Sequence, residues 1–211
     1  GHVTGAAQTN RALSRLYGKQ QKLEEALTYA ENALAYYKKI GDRFNYEHVR
    51  NIQAVMYLQM QKYEDVIRIG ESSIIFTEQA KFDNLTATTA ANLAEAYFET
   101  GQLEKARFTA SKVLALNQPH AKPYALYTLG QVAQSSKNFR QAESIFRECQ
   151  KTAENNGDRF MEAYAWRAIG NLQLKQGSED KGHPALQRAL NMFESMQIRG
   201  EVKQTKQLLK M

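Results

Sequence analysis

The side chains that most often take part in catalysis or metal binding are few in this chain and widely spaced. The four histidines and the only cysteine are His2, His48, His120, Cys149 and His183. No two of them stand at the spacing that metal sites use. Glu95 and Glu99 are four residues apart, so on a helix they would share one face and could ligate a metal or share a proton. Solvated charges on a binding surface explain that pair more simply, so the pattern predicts a protein that is not an enzyme and needs no metal or cofactor.

The elements that would position a site come from one pattern that occurs five times. Its copies span residues 21–34, 61–74, 101–114, 137–150 and 177–190, and begin 40, 40, 36 and 40 residues apart. A period in this range is typical of a solenoid, in which each repeat buries its apolar face only against its neighbours. We therefore predict an array of repeats, whose extended surface suits recognition better than catalysis.

Each repeat carries two helical patterns joined by a short polar turn. In the first repeat, Leu13, Leu16 and Tyr17 follow helical spacing before the polar stretch at residues 18–22. A second set of apolar residues at the same spacing follows that stretch. The layout recurs along the chain and predicts antiparallel helix hairpins without strands.

The links between repeats also recur. The tetrapeptide Gly-Asp-Arg-Phe occurs at residues 41–44 and again at 157–160, where the glycine can close one helix and the aspartate can cap the next. The link at residues 117–123 holds two prolines instead, which stop a helix, and it belongs to the single 36-residue step. Residues 199–210 predict one more amphipathic helix, whose polar side would cover the exposed end of the array.

The distribution of charged and apolar residues argues against a nucleic-acid partner and against a membrane partner. The net charge is +6, but residues 61–119 hold more acidic than basic side chains. Nucleic-acid binders concentrate Lys and Arg on one face or stripe, whereas the basic residues here alternate with acids and glutamines. A membrane span needs about 18 apolar residues in a row, and the sequence has no such run. We therefore predict no nucleic-acid partner and no membrane partner.

The single cysteine and the first residues bear on the compartment. One cysteine cannot form an intramolecular disulfide, which fits a reducing environment. Cys149 aligns with Ala33 and Ala189 in other repeats, so we expect a buried and unreactive thiol. The chain starts without Met and without the pattern of a signal peptide. These features predict a cytoplasmic location, and we expect the chain to be a piece of a longer protein.

The register of large and small residues resembles that of tetratricopeptide repeats. Tyr17, Tyr57 and Tyr97 stand at the tyrosine position of that family, and Ile169-Gly170 stands at its Leu-Gly position. The two small positions are filled by Ala26, Val66, Ala106, Ala142 and Gly182, and by Ala33, Ser73, Val113, Cys149 and Ala189. The resemblance implies an all-α, right-handed α-solenoid of five helix hairpins plus a C-terminal capping helix.

The resemblance also implies a domain organisation and a role. It implies one domain over residues 1–211, with repeats at about 4–41, 42–81, 82–118, 119–157 and 158–198 and a capping helix at 199–210. The long period is similar to that of C-terminal sensor regions in bacterial STAND-type signalling ATPases and maltose-regulator-like activators, and to that of kinesin light chains. A non-catalytic sensor or scaffold region that binds a protein or peptide in its concave groove is the implied function. Two alternatives stay open: a self-association array that contacts its parent chain or copies of itself, and a sensor for a small effector.

In this family the groove is lined by side chains on the first helix of each repeat. The predicted binding residues are Arg11, Arg15, His48, Asn51, Asn92, Glu95, Glu99, Tyr124, Tyr127, Gln131, Tyr164, Arg167 and Asn171. Aromatic and Arg side chains are frequent at binding hot spots, and Asn and Gln can pair with the backbone of an extended peptide. We expect cations at one end of the groove, acids in its middle and a Tyr/Arg cluster at its other end.

Overall fold

A computed structural model describes residues 2–210 of the chain, with side chains from residue 5 onward. Within this range the structure contains eleven α-helices and no strand. In chain order they are α1 (His2–Lys19), α2 (Leu23–Lys39), α3 (Arg43–Gln59), α4 (Tyr63–Gln79), α5 (Asp83–Glu99), α6 (Leu103–Ala115), α7 (Lys122–Ser135), α8 (Phe139–Asn156), α9 (Arg159–Lys175), α10 (Glu179–Ser195) and α11 (Arg199–Leu208). The predicted all-α class, with five hairpins and a C-terminal helix, is confirmed.

The helices group into two compact units. Unit 1 ends at Leu116 and holds α1 to α6, and unit 2 begins at Asn117 and holds α7 to α11. Within each unit consecutive helices pack against each other, and first helices of adjacent hairpins also meet: α1 with α3, α3 with α5, and α7 with α9. The division falls at the proline-containing link. The single domain and the right-handed coiling stay predictions.

Left-handed backbone conformations end the helices at regular intervals. Residues with positive φ recur every 20 positions from Gln21 to Gly101, and again every 20 positions from Asn117 to Gln197. Between Gly101 and Asn117 the interval is 16, because α6 has 13 residues where α4 has 17. The short step in the sequence period therefore corresponds to about one helical turn missing from α6.

The repeated link carries the caps that its sequence indicates. Gly41 and Gly157 adopt φ of 72° and 68°, a conformation that costs a glycine little because it has no Cβ. The carboxylates of Asp42 and Asp158 then each accept the backbone N–H three residues on, at 3.0 Å. These contacts satisfy N–H groups that the first turn of a helix leaves unpaired. They fix where the first helices α3 and α9 begin.

Small residues bring the two helices of each hairpin close together. Ala26, Ala106 and Ala142 are fully buried at the first small position. In the fifth hairpin the approach is especially tight: a Cβ placed on Gly170 of α9 would lie 2.8 Å from the carbonyl oxygen of Gly182 on α10. Such close packing leaves the outward side of each first helix as the side that can carry polar residues.

Candidate functional site

The predicted binding residues lie on five first helices, as their register requires. They are Arg11 and Arg15 on α1, His48 and Asn51 on α3, Asn92, Glu95 and Glu99 on α5, Tyr124, Tyr127 and Gln131 on α7, and Tyr164, Arg167 and Asn171 on α9. We call the side chains of α1, α3 and α5 the unit 1 first-helix surface. Those of α7, α9 and α11 form the unit 2 first-helix surface. The two surfaces differ in what they leave available to a partner.

The cations of α1 face α3. The guanidinium Nη1 of Arg11 donates to the Oδ1 of Asn45 at 2.5 Å, and Asn45 Nδ2 donates to the carboxylate of Asp42 at 2.7 Å. Burial lowers the pKa of His48, and the positive charges of Arg11 and Arg15 lower it further. Both arginines therefore lie near His48, and Arg15 is exposed. This end of the surface is cationic.

Amide side chains join α3 to α5. The Nδ2 of Asn92 donates to the Oδ1 of Asn51 at 2.9 Å, and the hydroxyl of Thr89 lies 3.5 Å from the same oxygen. Asn51 and Asn92 are both half-buried. An amide has two donors and two acceptor lone pairs, so this pair retains capacity to bind the backbone of an added segment.

The far end of the unit 1 first-helix surface is acidic. Burial raises the pKa of Glu95 to about 7, and the negative charge of Glu99 raises it further. Burial also raises the pKa of Glu99, an effect that a hydrogen bond from the Tyr63 hydroxyl opposes. Tyr63 is the first residue of α4, and its own pKa is raised by burial and by both carboxylates. Two carboxyl groups therefore share one site, where burial disfavours the charged form of each and the charge of Glu99 further disfavours that of Glu95.

Unit 2 gathers an aromatic cluster around Arg167. The Tyr127 and Tyr164 rings meet edge-on with centroids 5.7 Å apart, and the ring of Tyr164 also meets Phe193 of α10 at 5.4 Å. The guanidinium of Arg167 stacks over the Tyr164 ring at 4.6 Å. The structure thus brings together three of the predicted residues, Tyr127, Tyr164 and Arg167.

The C-terminal helix occupies this cluster. The Nη1 of Arg167 donates to the Oε2 of Glu201 on α11 at 2.5 Å and to the Oε1 of Gln204 at 3.3 Å. The hydroxyl of Tyr164 also bonds to Glu201, and burial together with the Glu201 charge raises the pKa of Tyr164. Only 12% of the Arg167 side chain is exposed. In unit 2, therefore, Tyr164 and Arg167 already bind a side chain of the same protein.

Sequence reasoning missed Glu201 and Gln204, although a signal for them exists. Glu201 follows Arg167 by 34 residues, the separation that also joins Arg11 to Asn45. A residue on one first helix and the residue 34 positions later, on the next first helix, therefore face each other in both places. Treating residues 199–210 as the next first helix, rather than only as a cap, would have placed Glu201 opposite Arg167.

The other predicted residues of unit 2 are Tyr124, Gln131 and Asn171. Tyr124 and Asn171 are half-buried. Gln131 is half-buried as well, and its Oε1 has no hydrogen-bond partner among residues 5–210. A buried amide oxygen without a donor costs stability, so Gln131 is the one of these three with an unmet bonding requirement.

Cys149 and His120, two residues of types that can take part in catalysis, have different surroundings. Cys149 is fully buried, its Sγ lies 3.2 Å from the carbonyl oxygen of Pro123, and burial raises its pKa to about 12. His120 is exposed and the side chain of His2 lies outside the described residues. In the described part of the chain, no three His, Cys, Asp or Glu side chains are placed to hold a metal ion. No described helix has the length and apolar character to cross a membrane.

Family models identify the repeat. Residues 11–40 match one model of the tetratricopeptide repeat, and residues 87–120 and 123–156 match another. No curated protein matches the chain in sequence.

Several solved structures share this fold. A Rap protein complexed with competence and sporulation factor superposes with a TM-score of 0.83 at 14% identity, covering 95% of this chain and 57% of the Rap chain. A STAND protein with a tetratricopeptide repeat sensor from Pyrococcus horikoshii gives 0.72 at 15% identity, covering 96% of this chain and 32% of that one. A thermophilic protein of the same repeat type from Thermus thermophilus gives 0.76 at 15% identity, covering 97% and 100%. At these identities the likeness concerns the fold.

Proposed function

Given a chain that is built of tetratricopeptide repeats, we propose that it is a non-catalytic interaction module that holds a protein or peptide segment on the unit 1 first-helix surface. This fold is that of protein-interaction and scaffold modules, in which repeats present an extended surface.

The observation that carries the proposal is the order of charges along unit 1. Arg11 and Arg15 stand on α1, the Asn51–Asn92 amide pair joins α3 to α5, and Glu95 and Glu99 stand on α5. Adjacent packed helices lie about 8–10 Å apart, so the surface spans about 20 Å from α1 to α5. An extended segment of about six residues covers that distance. An acidic residue at one end and a basic residue at the other would complement it.

The acidic end supports a basic residue in the bound segment. Glu95 has a raised pKa because it is largely withdrawn from water and faces Glu99. A Lys or Arg placed beside these carboxylates offsets both effects, since an opposite charge favours the ionised form. Binding of such a residue therefore releases protons near neutral pH.

The unit 2 first-helix surface is the weaker candidate. Its best anchors, Tyr164 and Arg167, already bind Glu201 of α11. A partner there would have to displace a desolvated ion pair, whose lost contacts subtract from its affinity. Two charged side chains of the unit 1 first-helix surface, Arg15 and Glu99, are exposed instead.

We further propose that the chain is a sensor or scaffold region of a larger signalling protein. The fold it shares with a STAND protein that has a repeat sensor, and with a Rap protein complexed with a factor, supports that role. A cytoplasmic location is supported by the one buried, unpaired Cys149, because disulfides are rare in reducing compartments.

A display library of linear peptides, selected on the immobilised full chain, tests the function. We expect selected sequences to carry an acidic and a basic residue separated by about four to six positions. Arg15→Ala and Asn51→Ala should each weaken a selected peptide about tenfold. Arg68→Ala, on the exposed side of the second helix α4, is the matched control and should bind as the wild type does. Selection of peptides whose affinity ignores Arg15 and Asn51 would refute the proposal.

A further inference from the structure

A second surface of unit 1, built from α4, α5 and α6, contains a groove that the proposed function does not use. Its cavity measures about 260 Å³. The floor is a stripe of α5 that runs from Thr86 through Ala90 and Leu93 to Tyr97. The eleven helical steps from Thr86 to Tyr97 make this stripe about 16 Å long. The walls are α4 on one side and α6 on the other.

The two walls carry opposite charges at the same spacing. Glu71 and Glu78 stand on the α4 wall, and Lys105 and Lys112 stand on the α6 wall. Each pair is seven residues apart, so each places its charges two helical turns apart on one face. Within the chain Lys112 Nζ meets Glu78 Oε1 at 3.2 Å, and these side chains are 48% and 45% exposed. An exposed pair of this kind contributes little and exchanges partners readily.

An aromatic ring is exposed at the rim of the groove. Phe108 lies between Lys105 and Lys112 on α6, and 65% of it is exposed. The ammonium of Lys112 lies 5.5 Å from its ring centroid. Ile75 of α4, between the wall residues Glu71 and Glu78, is 62% exposed. Exposed apolar side chains on both helices that wall the groove are consistent with an interaction surface.

The floor of the groove holds an unpaired hydroxyl. Thr86 is 3% exposed, and its Oγ1 has no hydrogen-bond partner among residues 5–210. Thr86 lines the cavity beside Glu78 and Lys112. A buried hydroxyl without a partner is costly, so an occupant of the groove that brings a donor to this end would be favoured.

From these features we infer that α6 of a second copy of this chain lies in the groove, antiparallel to α6 of the first. Phe108 of the second copy enters the cavity, which is larger than the roughly 150 Å³ that accepts a benzene ring. Lys105 of the second copy then meets Glu78 and can donate to Thr86, while Lys112 of the second copy meets Glu71. Two-fold symmetry repeats each contact in the other copy.

Charge complementarity selects a second copy as the occupant. A segment that complements the acidic α4 wall needs an apolar side chain flanked by two cations seven residues apart, which is the pattern of Lys105, Phe108 and Lys112 on α6 itself. An isologous dimer uses one self-complementary patch on both subunits. The dimer contact does not include α1 or α3 of the unit 1 first-helix surface. The inference of a dimer therefore does not rest on the proposed function.

Sedimentation velocity of the full chain over a concentration series tests the dimer. The wild type should shift from monomer to dimer as concentration rises. Phe108→Asp should weaken this association about tenfold or more. Ile40→Asp is the control, since Ile40 is 50% exposed in unit 1 and lies at the end of α2, away from the groove. A wild type that stays monomeric throughout, or a Phe108→Asp chain that dimerises as the wild type does, would overturn the inference.

Charge reversal distinguishes this dimer from any other. A chain with Lys105→Glu and Lys112→Glu and a chain with Glu71→Lys and Glu78→Lys should each remain monomeric, because like charges then face each other. An equimolar mixture of the two should form heterodimers, since the acidic α6 of one then meets the basic α4 of the other. Unchanged far-ultraviolet circular dichroism shows that both chains are folded. A mixture that stays monomeric would contradict the pairing.

Discussion

The guanidinium of Arg167 holds the carboxylate of Glu201 at 2.5 Å and thereby ties α9 to the C-terminal helix α11. The two side chains are 12% and 18% exposed, so the pair is largely removed from water. Among the described residues of α11 only Thr205 is fully buried. The ion pair therefore attaches α11 to α9, while Val202 of α11 packs against the cluster around Phe193 of α10.

Replacing Glu201 with Gln should loosen α11. The change leaves the Arg167 cation buried without its counter-charge, and breaking such pairs is strongly destabilising. We expect a loss of about 1–3 kcal/mol in the free energy of unfolding and faster amide hydrogen exchange in α11. Lys206→Gln is the control, because it removes the exposed ion pair that Lys206 of α11 forms with Glu194 of α10 and should cost under about 1 kcal/mol. Equal effects of the two substitutions would show that the Arg167 contact has no special role.

The repeated features of the fold could be predicted from the sequence, whereas several contacts that occur in one repeat only could not. The period, the Asp42 and Asp158 caps and the shortened third repeat all follow from local spacing and composition, because they depend on a few neighbouring residues. The meeting of Tyr127, Tyr164 and Arg167 follows from register.

Three features depend on tertiary packing and cannot be predicted from local spacing and composition. Glu201 engages Arg167 only because α11 meets α9. Glu95 loses its hydration because α5 is buried along much of its surface. Phe108 is exposed because no further helix among the described residues covers the groove beside it. Each of these features depends on how helices pack, which local sequence spacing does not reveal.

Gly170→Ala should destabilise the fifth hairpin. The added Cβ would lie 2.8 Å from the Gly182 carbonyl oxygen and 2.9 Å from the backbone nitrogen of Leu186, and backbone atoms cannot move aside locally. Overpacking of this kind costs about 1–3 kcal/mol, to be measured by urea denaturation. Gly200→Ala in α11 meets nothing within 4 Å and should leave stability equal or raise it by up to about 1 kcal/mol. A Gly170→Ala chain as stable as the wild type would show that α9 and α10 are packed less closely than described.

Arg15→Ala should raise the pKa of His48. The positive charge of Arg15 is one of the causes that lower this pKa, after burial and Arg11, so its removal makes protonation easier. Titration of the His48 ring resonances by NMR measures the change. Arg68→Ala, on α4, is the control. An unchanged pKa of His48 in Arg15→Ala would mean that α1 does not present Arg15 to α3.

The stability of the chain should fall with rising pH through the titration of Glu95. Its pKa is about 7 in the folded state against an ordinary 4.5, so the folded carboxyl keeps its proton where the unfolded one has lost it. The stabilisation is complete below pH 4.5 and is lost as pH rises through 7, amounting to about 3 kcal/mol. Glu95→Gln removes this titration. Between pH 5 and pH 8 the free energy of unfolding of the wild type should therefore fall by about 1–3 kcal/mol more than that of Glu95→Gln.

Unfolding by urea at the two pH values measures that difference. Glu25→Gln, at an exposed position of α2, is the control and should follow the wild type. A Glu95→Gln chain whose stability changes with pH as the wild type's does would contradict the burial of this carboxyl.

The proposal that unit 1 holds a peptide is tested most directly by hydrogen exchange of the full chain with and without a library-selected peptide. We expect the peptide to slow amide exchange in α1, α3 and α5, and to leave α9 and α11 unchanged. The Asn51→Ala chain should show this protection only at higher peptide concentration, because one amide of the Asn51–Asn92 pair is gone. Protection confined to α7, α9 and α11, or protection equal in wild type and Asn51→Ala, would contradict the proposed function.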